Sequence, residues 1–437
     1  MEKYFEFDKY NTNLKTEIIA GITSFLATMY IIVVNPAIIS AAGLPFEGVL
    51  TATILVSTFS SIMMGIYAKN PIVIAPGMGI NAFFAYTVVL GMGIEWDIAL
   101  GAVFWSGIVF LILSVFNART AVALAVPKQI RSAVAAGIGL FITFLGFENA
   151  KFVVNDPATL VTFGGLNVVT ITFLIGLIIT SYLVLKNVKG ALIFGIIFTT
   201  IISIPIGRLW GDATNILGTT TIVNWNGIIA SPDFSLLFKL DLINSLALSI
   251  IPIIFVFLFT DLFDSLSTFI GVAEAGNIKD EDGEPRNIKQ SLLTDAVSTT
   301  ISGLLGTSAG TSFIESAAGI KEGGRTGLTA VVAGLCFLPF MFFSPLLSVI
   351  PTIATAPALV LVGVFMMAPI SKIDWYKYDE AIPAFLAIIL IPLTYSITQG
   401  IVWGMIIWTV LKLLNGKYKE VSLTLIIVDI FAIAALL

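Results

Sequence analysis

Apolar runs of roughly 17–25 residues recur along nearly the whole chain, each long enough to cross about 30 Å of hydrocarbon at 1.5 Å per residue. In that solvent every backbone N–H and C=O must be paired inside the protein, which makes such runs helices. Only 11% of the 437 residues are charged and 57% are hydrophobic, against about 25% charged in soluble domains. So few charges cannot cover a water-facing surface, whereas a lipid-facing one needs none. The chain therefore reads as an all-α polytopic membrane protein whose main partner is the lipid bilayer. The first strongly apolar run begins near Ile18, after a polar segment from Glu2 to Thr16. No secretory signal with a small-residue cleavage site is expected there.

Spans read at about 17–40, 47–68, 98–116, 131–150, 168–186, 189–206, 243–272, 291–305, 327–348, 354–370, 381–396 and 400–414. Stretches near 76–90 and 308–320 are short and rich in Gly, Ser and Thr. With both included, the count reaches about fourteen crossings. Residues 421–437 have the length for a further span or an interfacial helix, and the sequence does not choose between them.

Lysine and arginine placement orients the bundle, because cytoplasmic loops carry the excess of cations. The groups Lys3, Lys9 and Lys15; Arg119, Lys128 and Arg131; Lys186 and Lys189; Lys279, Arg286 and Lys289; Lys321 and Arg325; and Lys372 and Lys377 all fall on one side if the N-terminus is cytoplasmic. The loops around 91–97, 151–167 and 207–240 carry few cations.

The chain also repeats itself weakly. Val126-Pro127 is followed by Gly139 and Phe141, and Ile350-Pro351 is followed at the same spacing by Gly363 and Phe365. The stretch Ala75-Pro76-Gly77-Met78-Gly79-Ile80-Asn81 has its counterpart in Gly306-Thr307-Ser308-Ala309-Gly310-Thr311-Ser312. Each lies third in its half. Halves with an odd number of crossings sit upside down relative to each other, and Gly/Pro-interrupted segments at matching positions point to a transporter binding site.

Several chemistries are excluded early. The sequence has no histidine, and Cys336 is its single cysteine, so the usual proton shuttle is missing and so is any thiolate metal site or disulfide framework. No metal, catalytic residue or cofactor is expected, and no basic patch suggests nucleic acid. Proton-linked work falls to carboxylates. Asp261 and Asp264, in Thr260-Asp261-Leu262-Phe263-Asp264, share one helical face. A carboxylate at mid-membrane costs about 2.5–3.5 kcal/mol on insertion scales, so it ordinarily faces a cavity and serves function. When both are ionised they repel, which makes the pair a candidate proton carrier. The alternative is that one of them caps a broken helix. Glu315 closes the second broken segment, near Thr311 and Ser312, and Asn81 holds the analogous place in the first, beside Phe83 and Phe84. An amide and a carboxylate across a cavity, with an aromatic ring for stacking, suit a flat heterocycle with donor and acceptor edges. The loop from Asn277 to Gln290 reads as a solvated turn, and Gly323-Gly324-Arg325-Thr326-Gly327 as a tight one.

The runs Gly306 to Gly319 and Gly323 to Thr329, with Ala75 to Phe84 and Thr260 to Asp264, resemble the signatures of the AzgA-like purine permeases. These are a branch of the nucleobase–cation symporter-2 family, and the resemblance covers essentially the whole chain. It implies fourteen segments in two inverted sevens, with repeats at 1–206 and 243–437 joined by an extracytoplasmic connector at 207–242. A core at about 16–116 and 243–348 would move, elevator-like, against a gate at about 117–206 and 349–437. The third and tenth segments would each be a short strand followed by a half-helix. It further implies import of adenine, guanine or hypoxanthine across the plasma membrane by symport with protons or sodium. Substrate contacts would come from Asn81, Phe83, Asp261, Thr311, Ser312 and Glu315. Proton coupling would rest on Asp264 together with Asp261 and Glu315. Ser267 stands where many members have Gly. Three rivals remain: a transporter of anions or other small polar solutes with the same architecture, an intramembrane aspartyl protease, and a non-transporting receptor. Asp261 and Asp264 share a helix, whereas a protease dyad needs two. The oligomeric state stays open, a homodimer among the options.

Overall fold

The computed structural model describes residues 2–115, 127–209, 211, 213–219, 221–223, 225, 227–280, 283–422, 425, 426 and 429. Arg119, Val126 and most of the run 421–437 lie outside the described residues. In the first half, α1 (Leu14–Thr28) and α2 (Ile31–Ser40) share one span, followed by α3 (Phe46–Met63), strand β1 (Ile74–Pro76), half-helix α4 (Met78–Ala82) and α5 (Trp96–Val115). Then come α6 (Lys128–Asn149), a hairpin of β2 (Val153–Asp156) and β3 (Leu160–Phe163), α7 (Val168–Leu185) and α8 (Ala191–Ser203). The second half runs through α9 (Ile251–Gly276), α10 (Ile288–Leu305), β4 (Gly310–Ser312), α11 (Ala317–Lys321), α12 (Gly327–Phe337), α13 (Thr352–Met366), α14 (Tyr378–Thr394) and α15 (Ile397–Leu414).

Among the described residues, eight helical stretches are long and apolar enough to cross a membrane, and Met78–Gly91, Ala191–Ser203 and Gly327–Phe342 are shorter apolar helices. The other three segments are α10, α14 and the broken stretch at β4–α11. The span read from 243 starts instead at Ile251. Pro252 occupies its first turn, where a missing N–H is harmless, and 243–250 form irregular turns fixed by Asp241, whose carboxylate accepts from Ile243 N at 3.0 Å and Asn244 N at 2.9 Å. The cation-poor loop at 151–167 folds into the β2–β3 hairpin rather than a plain connection.

β1 and β4 pair antiparallel, Ala75 opposite Thr311, so the third segment of each half supplies the other's missing backbone partners. Gly77 N donates to Ala309 O at 3.0 Å and Phe313 N to Val73 O at 2.9 Å, closing the ladder at both ends. Around this joint the helices pack in two sets. α1 packs on α12, α3 on α10 and α12, and α5 on α9 and α10; separately, α6 packs on α13, α14 and α15, and α13 on α7 and α8. Each set draws on both halves of the chain.

The glycines of the repeat meet in space. A Cβ at Gly139 would lie 2.7 Å from the Gly363 carbonyl oxygen, and one at Gly363 would overlap the Gly139 carbonyl oxygen and Thr143 Oγ1. Helices α6 and α13 thus cross where the two copies of the same motif touch, and the small residues allow the close approach.

Two charges buried outside the strand joint, Lys412 and Glu17, are well matched. Lys412, 2% exposed, holds Asp379 at 3.0 Å, Glu380 at 2.5 Å and Glu420 at 2.7 Å. Glu17 accepts from Arg325 N at 2.9 Å and Thr329 Oγ1 at 2.6 Å, which anchors α1 to the glycine-rich turn. The loop from Asn277 to Gln290 is not wholly solvated. Its Arg286 is buried, donating to Lys69 O at 3.0 Å and Arg325 O at 2.8 Å, with the Tyr10 ring 4.3 Å from the guanidinium.

Substituting Gly363→Ala forces the α6–α13 crossing apart. Overpacking of this kind costs about 1–3 kcal/mol, so the purified protein in detergent should unfold at a lower temperature than the parent. Equal melting temperatures would show that the crossing can open without cost.

Candidate functional site

The strand joint places polar side chains by simple alternation. Successive residues of a strand point to opposite faces, so Thr311 and Ser312 serve different carboxylates. Thr311 Oγ1 donates to Asp264 Oδ2 at 3.2 Å, whereas Ser312 Oγ donates to Asp295 Oδ1 at 3.1 Å on the far side. Gly310 lies against α10, where a Cβ would overlap Ser298 Oγ.

Two cavities meet at Asp264. The smaller, about 60 Å³, lies between the broken segments and is lined by Gly77, Met78, Thr311, Glu315 and Tyr30, with Val362 and Met366 across from them. The larger, about 320 Å³, continues from Gly79, Asp264 and Met366 outward between α9 and α6. Glu315 is held by Tyr30, whose hydroxyl donates to Oε1 at 2.8 Å. The half-helix α4 starts at the cavity without a side-chain cap. Its first helical bond runs from Asn81 N to Gly77 O, so the N–H groups of Met78, Gly79 and Ile80 have no helical acceptor. The site therefore offers carboxylate acceptors on one side and backbone donors on another.

Of the residues expected at the site, Asp264, Thr311, Ser312 and Glu315 line the smaller cavity, and Asn81, Phe83 and Asp261 do not. Asn81 is fully buried, and its Oδ1 accepts from Ser308 Oγ. Phe83 is fully buried too, its ring edge-on to Phe257 at 4.8 Å, so it packs helices and leaves no face for a ligand in this conformation. Asp261, three residues from Asp264, sits behind the strands and accepts from Thr299 Oγ1.

Asp295 and Tyr30 escape the sequence reading. Asp295 is the one carboxylate in the Ser/Thr-rich span 291–305, which was a usable signal. It is fully buried, and among the described residues neither its Oδ2 nor Asp261 Oδ1 has a hydrogen-bond partner. Tyr30 stands at the break between α1 and α2 and meets a residue 285 positions away, a contact that no local pattern announces.

A family model described as a permease family matches residues 15–403. A putative permease of Methanocaldococcus jannaschii is 44% identical over 437 residues, covering 99% of this chain and 97% of its own. The adenine permease AdeP of Escherichia coli is 38% identical, covering 99% of this chain and 95% of its own. The guanine/hypoxanthine permease PbuO of Bacillus subtilis is 40% identical, with 95% and 96% covered. Among solved structures, the transmembrane domain of the cyanobacterial bicarbonate transporter BicA superposes with a TM-score of 0.64 at 16% identity, covering 90% of this chain and 97% of that one. At that identity the likeness concerns the inverted-repeat fold.

Substituting Thr299→Val strips the buried Asp261 carboxylate of its hydroxyl donor. Leaving a buried acceptor unsatisfied costs about 1–3 kcal/mol, more for a charged group, so the variant should melt at a lower temperature than the parent. An unchanged melting curve would mean that Asp261 is satisfied by another group.

Proposed function

The chain belongs to the permease family whose model it matches, and from that premise we propose that it imports purine nucleobases across the plasma membrane by proton- or sodium-coupled symport. Its class is settled by that membership: an integral, multi-pass transporter and not an enzyme. The purine reading draws on relatives described as adenine and guanine/hypoxanthine permeases. The observation that carries it is the pairing of Asp264 and Glu315 at one small cavity between two broken segments. A purine edge presents ring N–H donors beside ring-nitrogen and carbonyl acceptors. Asp264 and Glu315 accept from the donors, and the free N–H groups of Met78 and Gly79 serve the acceptors.

Asp261, Asp295 and Asn81 form a second layer behind the strands, with Asp261 Oδ1, Asp295 Oδ2 and Asn81 Nδ2 unpartnered. A proton or sodium ion held by this layer alters the charge that the cavity carboxylates feel. Base and cation then change each other's affinity by the same factor, which is the thermodynamic content of symport. An anionic substrate, as for the bicarbonate transporter of like fold, is disfavoured because two carboxylates face the cavity.

The cavity lies on the boundary between the two helix sets, which suits a core of α1–α5 and α9–α12 sliding past a gate of α6–α8 and α13–α15. Lys128, Arg131 and Lys372 ring the larger cavity, and the positive-inside rule assigns that mouth, and the N-terminus, to the cytoplasm. Elsewhere the two sets are joined where Thr87 Oγ1 donates to Tyr395 O at 2.9 Å, while Tyr395 OH is held within the gate set by Glu148 Oε2 at 2.6 Å. The conformation is accordingly inward-facing.

The test is uptake of labelled adenine, guanine, hypoxanthine and uracil by proteoliposomes under an imposed pH or sodium gradient. Purine uptake should follow one of the gradients and collapse in Glu315→Gln and Asp264→Asn. Tyr30→Phe, which removes a charge-assisted hydrogen bond to Glu315, should raise KM roughly tenfold. No uptake of any base by folded protein would overturn the substrate assignment.

A further inference from the structure

The larger cavity contains more positive charge than a neutral base needs. Its walls are mainly apolar and aromatic, with Phe259 and Phe263 among them, yet Lys128 and Arg131 of α6 and Lys372 after α13 also line it. Among the described residues none of these three cations forms an ion pair, and Arg131 Nε is buried without a hydrogen-bond partner. The contrast with Lys412, matched by three carboxylates, is plain. The stretch 116–126 leading into α6 contains Arg119 and no Asp or Glu. Helix α6 begins in the same wall with Pro127 as an uncapped N-cap, which adds the positive end of a long helix dipole. The Arg131 guanidinium sits 5.7 Å from the centre of the Phe263 ring, so an aromatic face and a cation adjoin. Cation-rich loops explain why lysine and arginine lie at this end of the bundle. They do not explain why three unmatched cations converge on one apolar cavity.

We propose that this vestibule binds a purine nucleoside monophosphate as a ligand that is not transported and that holds the carrier inward-facing. The inference rests on the purine reading above. The ring would lie against Phe259 and Phe263, and the phosphate would engage Lys128, Arg131 and Lys372 through charge-assisted hydrogen bonds. The same molecule cannot advance, because Asp264 and Glu315 lie deeper and repel a dianion. An imported base is trapped inside a cell by a reaction that attaches a phosphorylated sugar to a ring nitrogen. The product of that reaction is the anion this vestibule fits, so its accumulation would slow further entry. A cavity of about 320 Å³ is within the range of small-ligand sites.

The phosphate of an anionic lipid headgroup shares this chemistry, and the experiment separates the two. The full chain, in nanodiscs of phosphatidylcholine alone, is titrated with AMP, GMP, adenine and inorganic phosphate by isothermal titration calorimetry. Base flux is measured in parallel in proteoliposomes with nucleotide on both sides. The monophosphates should bind more tightly than inorganic phosphate and should slow adenine flux competitively. Arg131→Gln combined with Lys372→Gln should weaken nucleotide binding roughly tenfold or more, while Arg131→Lys retains it and controls for folding. Active base flux with neither binding nor inhibition by AMP or GMP overturns the proposal. It is equally overturned if phosphatidylglycerol stabilises the parent but not the double variant and nucleotides fail to compete. Nucleotide binding without flux of any base would instead sink the transport reading and leave the site standing.

Discussion

Unpaired backbone in the middle of a membrane is what this architecture has to solve. Each half of the chain breaks its third segment beside a cavity, exposing N–H and C=O groups to which hydrocarbon offers nothing. The solution is reciprocal, because β1 pairs with β4 and each break satisfies the other. Most other features follow from that joint. Gly310 is small because Ser298 lies behind it. Thr311 and Ser312 face opposite ways because a strand alternates, and so the cavity carboxylate and the buried one each receive a hydroxyl.

The electrostatic plan has three tiers. At the cavity, Asp264 and Glu315 are half-buried and held by Thr311 and Tyr30. Behind the strands, Asp261 and Asp295 are sealed from solvent, each with one oxygen bonded and one free. At the mouth, Lys128, Arg131 and Lys372 form no ion pair among the described residues. On the reading proposed above, negative charge inside and positive charge at the rim would let a neutral base with donor edges pass and would stop an anion at the rim.

Much of this was legible in the residues. Apolar run lengths outlined the segments, the matching Gly/Pro breaks located the broken segments, and Gly139 and Gly363, legible only as copies of one repeat, sit where α6 crosses α13. Asp264 and Glu315 were legible because carboxylates inside apolar runs are costly and therefore conspicuous. Asp261 was equally visible, but the sequence could not say that it faces Thr299 and not the cavity, since three residues along a helix leave some 60° of rotation between them. Phe83 looked like a stacking ring because aromatic character carries no direction, and packing against Phe257 decided its place. Tyr30 was invisible for another reason. Its partner lies 285 positions away, and periodicity speaks only of neighbours.

The strand joint also sets an order on manufacture. Val73 N bonds to Ser316 Oγ across 243 residues, and a ribosome adding about 5–20 residues per second needs on the order of 10–50 s to cover that distance. Throughout that interval the first broken segment exists without its complement. The nascent first half must therefore wait in a wet or chaperoned setting, such as the lateral mouth of the insertion machinery, until the second arrives. Neither repeat is a self-sufficient folding unit, although each is a copy of the other.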